Sequence, residues 1–206
     1  MVAMNPSYVV LLPVKPPGRG KTRLGELPRD VLAAAFAMDT VTACLAAASV
    51  ARILAVTDDA SFARSLSAMG CEAMPDGVSG DLNASLALAS AEAERRWPGL
   101  VPVALCADLP CLTPEDLDAA LTQEPGRPRY VADTSGQGTT LYTAPPEEFA
   151  PRFGPSSAVH HADGGAWPVA GDLQSLRLDV DDADDLAAAY ALGVGGHTAK
   201  VLAEIA

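Results

Sequence analysis

This sequence predicts an α/β fold, a mostly parallel sheet with helices packed on both faces. Three observations point there. Short apolar runs of strand length alternate with alanine-rich stretches of helical length, the order of βαβ units joined by right-handed crossovers. Hydrophobic residues make up 49% of the 206 residues and aromatics only 5%, which suits helices on a buried sheet better than a sandwich. No linker or internal repeat divides the chain, so 1–206 reads as one domain, long enough to bury a full core.

The elements follow in order. The run "YVVLLP" (8–13) is a buried strand. Pro28-Arg29-Asp30 opens an alanine-rich helix to about Ala48. "RILAVT" (52–57) is the second strand, after which Asp58-Asp59 caps a helix to about Met69. A short strand at Cys71–Ala73 and a Gly/Pro/Asp/Ser loop (75–81) lead to a helix from about Asn83 to Trp97. "VPVALCAD" (101–108) is the most apolar strand. Thr113-Pro114-Glu115 then starts a helix with a Thr cap, Pro at the first position and an acidic first turn. Residues 123–172, rich in Gly, Pro and Ser, predict an irregular insertion with a hairpin and a short helix that contributes to the site. "LRLDV" (176–180) predicts a last strand, and a final helix begins near Asp182.

Charge is distributed unevenly. The chain holds 14 Lys and Arg against 26 Asp and Glu, a net charge of -12. Yet Lys15, Arg19, Lys21 and Arg23 crowd "VKPPGRGKTRL" (14–24), and no carboxylate precedes Glu26. The segment is not a P-loop, because Lys15 stands where the first glycine belongs, and not a dinucleotide fingerprint, because Arg23 stands where the third does. An acidic protein repels nucleic acid and anionic membranes through its overall field. A cationic loop loosened by Gly18 and Gly20 suits a compact anion such as a nucleoside triphosphate.

Ligands of open parallel sheets bind beyond the carboxyl ends of the strands. One such end carries the basic segment. "CADLP" puts Asp108 at another, and "LDVDD" offers Asp179 and Asp181, which share a face if the segment is a strand. Separated carboxylates facing phosphates describe a Mg2+ site. Asp182, Asp184 and Asp185 read as first-turn acids of the following helix. The three histidines lie away from the predicted strand ends, with no Ser-His-Asp or Cys-His arrangement. General-base catalysis is not needed if the acceptor is a phosphate monoester, largely dianionic at neutral pH.

Taken together, "LLPVKPPGRGKTRL", "ADLPCLTPEDL", "GQGTTL", "FGPSSAVHH" and "LRLDVDDADDL" resemble the CofC-type guanylyltransferases of coenzyme F-420 biosynthesis, over residues 9 to about 190. The resemblance implies the nucleotidyltransferase-A fold, a Rossmann-like arrangement of the nucleotide-diphospho-sugar transferases. It implies transfer of GMP from GTP to a three-carbon phosphoester acid, with release of pyrophosphate. Lys15, Gly18, Arg19, Lys21 and Arg23 would hold the GTP phosphates, with Lys21 and Asp108 catalytic, and Asn83 would contact the nucleotide at a helix start. Asp108 and Asp179 would bind Mg2+, with Asp181 nearby. Thr139, Gly154 and Ser157 would bind the acceptor, where the residues also offer a hydroxyl and a helix start after Pro155. The family often has Thr-Pro where this chain has Asp182-Ala183, so which aspartate is the second ligand stays open.

Phosphoenolpyruvate, 2-phospho-L-lactate and 3-phosphoglycerate are all candidate acceptors. Arginine outnumbers lysine 11 to 3, a mark of GC-rich coding that favours the acceptor of the actinobacterial members, phosphoenolpyruvate. A CTP-using, molybdenum-cofactor-type nucleotidyltransferase is the alternative, against which Lys15-Pro16-Pro17 replaces the expected glycine pair. Four cysteines without zinc spacing read as reduced thiols, and no apolar run has spanning length. A cytoplasmic enzyme is expected, with the next transferase of the pathway as a partner.

Overall fold

A computed structural model describes residues 7–14, 28–78 and 80–205. Lys15, Gly18, Arg19, Lys21 and Arg23 lie outside the described residues. The sheet has seven strands in the order β3-β2-β1-β4-β6-β5-β7. Strands β1 (Tyr8–Pro13), β2 (Val50–Val56), β3 (Glu72–Met74) and β4 (Val101–Leu105) run parallel. The hairpin β5 (Arg129–Ala132) and β6 (Thr139–Thr143) joins with β6 antiparallel to β4, and β7 (Trp167–Pro168) closes the edge parallel to β5.

Alternation along β1 divides the core. Val10 and Leu12 pack under α1 (Arg29–Ala46), α2 (Ala60–Met69) and α4 (Pro114–Leu121) through Val41, Leu66 and Leu117. Val9 and Leu11 face the other way, onto Leu86, Ala89 and Ala93 of α3 (Leu82–Arg96). Each such fully buried aliphatic contributes about 1.5–3 kcal/mol. The helix starts follow their signals. Asp59 accepts the N–H groups of Ser61 and Phe62, and Thr113 accepts that of Asp116.

The insertion contains the expected hairpin and short helix, α5 (Ser157–Asp163), together with a 3-10 turn at Pro146–Glu148 and β7. The expected strand at 176–180 is absent. Its first half is the short helix α6 (Gln174–Arg177). The alternation of Leu178, Asp179 and Val180 is real but has no ladder to join: Val180 N–H bonds the carbonyl of Asp108, and Asp179 N–H that of Arg177. Arg177 instead holds the segment through its side chain, donating to the carbonyls of Ala132, Val169 and Gly171. The expected final helix is two, α7 (Ala183–Leu192) and α8 (Gly196–Ile205). Gly193 breaks it at φ 113°, and the Asp39 carboxylate caps α8 across the fold by accepting the N–H groups of His197 and Thr198. None of the four cysteines is in a disulfide. Among the described residues no helix is long and apolar enough to cross a membrane.

Candidate active site

Parallel strands bring the carboxyl ends of β1, β2 and β4 to one edge. The antiparallel β6 brings its beginning there instead, with Leu141 opposite Leu105 of β4, so Thr139 sits beyond the same end of the sheet as Asp108. Two half-sites grow from that edge.

The first is acidic. Asp108 follows β4 in a loop pinned from two sides. Thr40 of α1 accepts the Leu109 N–H at 3.3 Å and donates to Phe36 O at 2.9 Å, and Val180 N–H donates to Asp108 O at 3.0 Å. That last bond draws the 178–182 segment alongside. One carboxylate oxygen from each of Asp108, Asp179 and Asp181 lies within 4.8 Å of the other two. The grouping expected from a strand is therefore present, although no strand makes it. Burial, then the charges of Asp108, Asp181 and Asp133, push the Asp179 carboxyl up to about 7. Hard carboxylate oxygens gathered so closely fit Mg2+, whose charge would offset their repulsion. Asp182 stands apart as the cap of α7, accepting the N–H groups of Asp184 and Asp185, while Asp185 accepts those of Asp181 and Asp182.

The second half-site lies around the start of β6. Asp133 folds the preceding turn by accepting the N–H groups of Gln137 (3.1 Å) and Gly138 (2.9 Å). A Cβ on Gly138 would collide with that carboxylate, so any side chain there would have to displace Asp133 from the turn it folds. The hairpin is stitched to both neighbours. Thr134 N–H bonds Arg177 O at 3.0 Å, and Ala158 N–H bonds Gln137 O at 3.0 Å. Gly154 adopts φ 134°, a conformation side chains disfavour, and its carbonyl accepts the Ser157 N–H. Of the N–H groups at the start of α5, those of Ser157 and Ala158 are spent on Gly154 and Gln137, which narrows what the helix start can offer an anion. Hydroxyls stand beside it. Ser157 is buried at the first position of α5, and buried Thr139 places Oγ1 3.0 Å from Nδ1 of His161.

His161, 1% exposed, lies at the centre of these contacts, while the open cavity beside it is lined by Asn83, Pro151, Arg152, Phe153 and His160. Its Nε2 accepts the Arg152 N–H at 2.9 Å. Its ring stacks on Tyr142 at 4.6 Å and meets the edge of Phe153 at 5.3 Å. Burial, with smaller contributions from Arg152 and His160, pushes it down to about 4, against a weaker upward pull from the Ser157 carbonyl. Asn83 is neither the first residue of α3 nor its cap, a role Asp81 takes by accepting the Ala84 N–H. Its amide donates to Phe153 O at 3.0 Å and accepts Phe153 N–H at 2.8 Å. It thereby anchors the segment ahead of Gly154.

Three contributors escaped the sequence reading: Thr40, Asp133 and His161. Only His161 left a local signal, standing one helical turn after Ser157 and so on the same face.

No protein-family model matches the chain. A phosphoenolpyruvate guanylyltransferase of Thermomonospora curvata is 44% identical over 205 residues, spanning 97% of this chain and 90% of the relative. Another so named, from Streptomyces coelicolor, is 42% identical and spans 96% and 97%. A solved putative nucleotide-diphospho-sugar transferase from Desulfovibrio desulfuricans G20 superposes with a TM-score of 0.68 at 20% identity, over 98% of this chain and 95% of that one. A solved 4-diphosphocytidyl-2C-methyl-D-erythritol synthase gives 0.64 at 14% identity, over 92% and 99%. These two show the fold, that of the nucleotide-diphospho-sugar transferases, as the sequence motifs implied.

Proposed function

The chain belongs to the phosphoenolpyruvate guanylyltransferase family, and from that premise we propose that it transfers GMP from GTP to phosphoenolpyruvate. The products are pyrophosphate and enolpyruvoyl-2-diphospho-5'-guanosine, a step of coenzyme F-420 biosynthesis. The observation that carries the chemistry is the convergence of Asp108, Asp179 and Asp181 at the carboxyl edge of the sheet, beside a hairpin end lined by hydroxyls.

In the proposed reaction an acceptor phosphate oxygen attacks the α-phosphorus of GTP, a new P–O bond forms, and the bond to the β-phosphate breaks. A phosphate monoester with a second pKa of about 6 is mostly dianionic at neutral pH, so no side chain must remove a proton. The protein aligns the two substrates and offsets charge. Asp108, Asp179 and Asp181 would hold Mg2+, which when bound neutralises triphosphate charge. Thr139, Gly154 and Ser157 would orient the acceptor. Lys15, Gly18, Arg19, Lys21 and Arg23 would bind the GTP phosphates, Lys21 nearest the chemistry, with Asn83 assigned to the nucleotide by resemblance alone. A net charge of -12 favours small-molecule substrates over nucleic acid or membrane, in the cytoplasm. The enzyme that consumes the nucleotide-linked product is the natural partner.

The test is pyrophosphate release with ATP, CTP, GTP and UTP, each against phosphoenolpyruvate, 2-phospho-L-lactate and 3-phosphoglycerate. GTP with phosphoenolpyruvate should be fastest and should require Mg2+. Faster release with CTP, or with another acid, would overturn the substrate assignment. Lys21→Ala and Arg23→Ala should weaken GTP use, and wild-type kinetics in both would remove this basic segment from the nucleotide assignment.

A further inference from the structure

His161 is not among the residues that motif resemblance assigns to either substrate, yet it joins Thr139 to the segment just ahead of Gly154. Nε2 accepts the backbone N–H of Arg152, two residues before Gly154. Nδ1 faces Thr139 Oγ1 at 3.0 Å. The ring grows from the same face of α5 as Ser157, one helical turn further on. Tyr142 at 4.6 Å and Tyr130 at 5.9 Å stack with it, and Phe153 closes its edge at 5.3 Å. The imidazole has no rotational freedom to spare.

This geometry assigns the tautomer. A backbone N–H can only donate, so Nε2 must present its lone pair to Arg152, and a neutral ring then carries its proton on Nδ1. Burial keeps the ring neutral, its pKa pushed down to about 4. An Nδ1–H makes Thr139 Oγ1 the acceptor of their contact. The threonine's own proton then points elsewhere. A hydroxyl that accepts from the ring keeps its own hydrogen for another partner, and a donor is what an anionic acceptor requires.

We propose that His161 is a positioning residue for the acceptor half-site: as the Nδ1–H tautomer fixed by Arg152 N–H, it orients the Thr139 hydroxyl to donate to the acceptor's anionic group. The inference rests on the assignment of this half-site to a three-carbon phosphoester acid. The same imidazole ties the Gly154 segment to β6, so the pocket is set before substrate arrives.

Two measurements on the full chain decide it. Long-range 1H–15N correlation of histidine-labelled protein, with the His161 signals identified by their loss in His161→Phe, should show the neutral Nδ1–H form at pH 7. An Nε2–H tautomer, or an imidazolium, would overturn the proposal, and this readout needs no substrate. The second is a KM split. His161→Asn places an amide N–H near the Nδ1 position and should keep the KM for the acceptor within a few-fold. His161→Phe keeps the ring packing but not the donor, and should raise that KM about ten- to hundredfold, the range for one hydrogen bond to a charged group, with the KM for GTP unchanged. Adding Thr139→Val to His161→Phe should cost little more, since both remove one device. A wild-type acceptor KM in His161→Phe would mean the ring only packs. If phosphoenolpyruvate fails as substrate and another acid works, the substrate assignment falls while the split is read with that acid.

Discussion

Where Asp108, Asp179 and Asp181 meet, like charges are forced together and the Asp179 carboxyl is pushed up to about 7. In the pocket around Thr139, a buried imidazole is pushed the other way, to about 4, and both its nitrogens have partners. The two lie at the same edge of one sheet. The acidic cluster gathers like charges whose repulsion a bound cation would offset. The imidazole region is hydrogen-bonded on both ring nitrogens. In the proposed function a divalent metal with the triphosphate goes to the first and a small acid to the second.

The largest break of that comparison is Asp108→Ala. The side chain sits in a loop whose backbone is held by Thr40 and Val180, so the fold should survive. Losing a group that organises transition-state charge costs on the order of a hundred- to a thousandfold or more in turnover. Turnover within tenfold of wild type, in a protein with unchanged circular dichroism and Tm, would remove Asp108 from the metal site.

Asp179→Asn and Asp181→Asn sharpen it next. Asp179 is the more buried of the two and carries the raised pKa, so its loss should damage turnover more. It also has a signature in stability. A carboxylate whose folded pKa is raised favours folding below its unfolded value near 4, and that contribution is lost as pH rises through about 7. The displacement from 3.8 to about 7 would be worth at most about 4 kcal/mol. Solvent at a half-buried site screens it, and about 1–2 kcal/mol is expected. Urea unfolding in EDTA should therefore show wild type less stable at pH 8 than at pH 5 by that amount, with the loss reduced in Asp179→Asn and by added Mg2+. Equal pH dependence in wild type and Asp179→Asn would mean the cluster is not under charge strain.

How far the sequence carried each region follows from the range of its contacts. Buried parallel strands are apolar runs, so β1 and β4 are legible from a few adjacent letters. Asp108 is legible because a carboxylate just past such a run, followed by Pro110, has few structural uses. Asp179 and Asp181 were found through a strand that does not exist; what survives is that Val180 is tied to Asp108 across 72 positions, a bond no local pattern announces. The pocket is harder still. His161 matters because of Thr139, 22 positions away, and Asn83 because of Phe153, 70 away. Both partners come from the irregular insertion, and residue type alone favoured a cap for Asn83 and nothing for the histidine.

A middle-sized effect belongs to Ser157→Ala. The hydroxyl is buried at the start of α5, and losing one hydrogen bond to a charged group is worth about ten- to hundredfold. The KM for phosphoenolpyruvate should rise by that factor while GTP binding by calorimetry stays constant. Weakened GTP binding with an unchanged acceptor KM would show the two half-sites assigned the wrong way round.

The smallest expected effect tests where the boundary between the two regions runs. Motif resemblance gives Asn83 to the nucleotide, yet both ends of its amide are engaged by the backbone of Phe153, at 3.0 and 2.8 Å. Turning that amide toward a ligand would leave a half-buried N–H and C=O without those partners, at about 1–3 kcal/mol for each group left unsatisfied. The cheaper arrangement keeps Asn83 as an anchor of Phe153, one residue from Gly154 and one from Arg152, whose N–H sets His161. Asn83→Ala should then lower stability by about 1–2 kcal/mol and raise the KM for the acceptor a few-fold through a loosened segment. Hydrogen exchange at Arg152 and Phe153 should quicken alongside. GTP affinity should be unchanged. If calorimetry instead shows GTP binding weakened and the acceptor KM untouched, Asn83 leaves Phe153 when nucleotide binds, and the nucleotide half-site reaches into the segment that this structure gives to the acceptor.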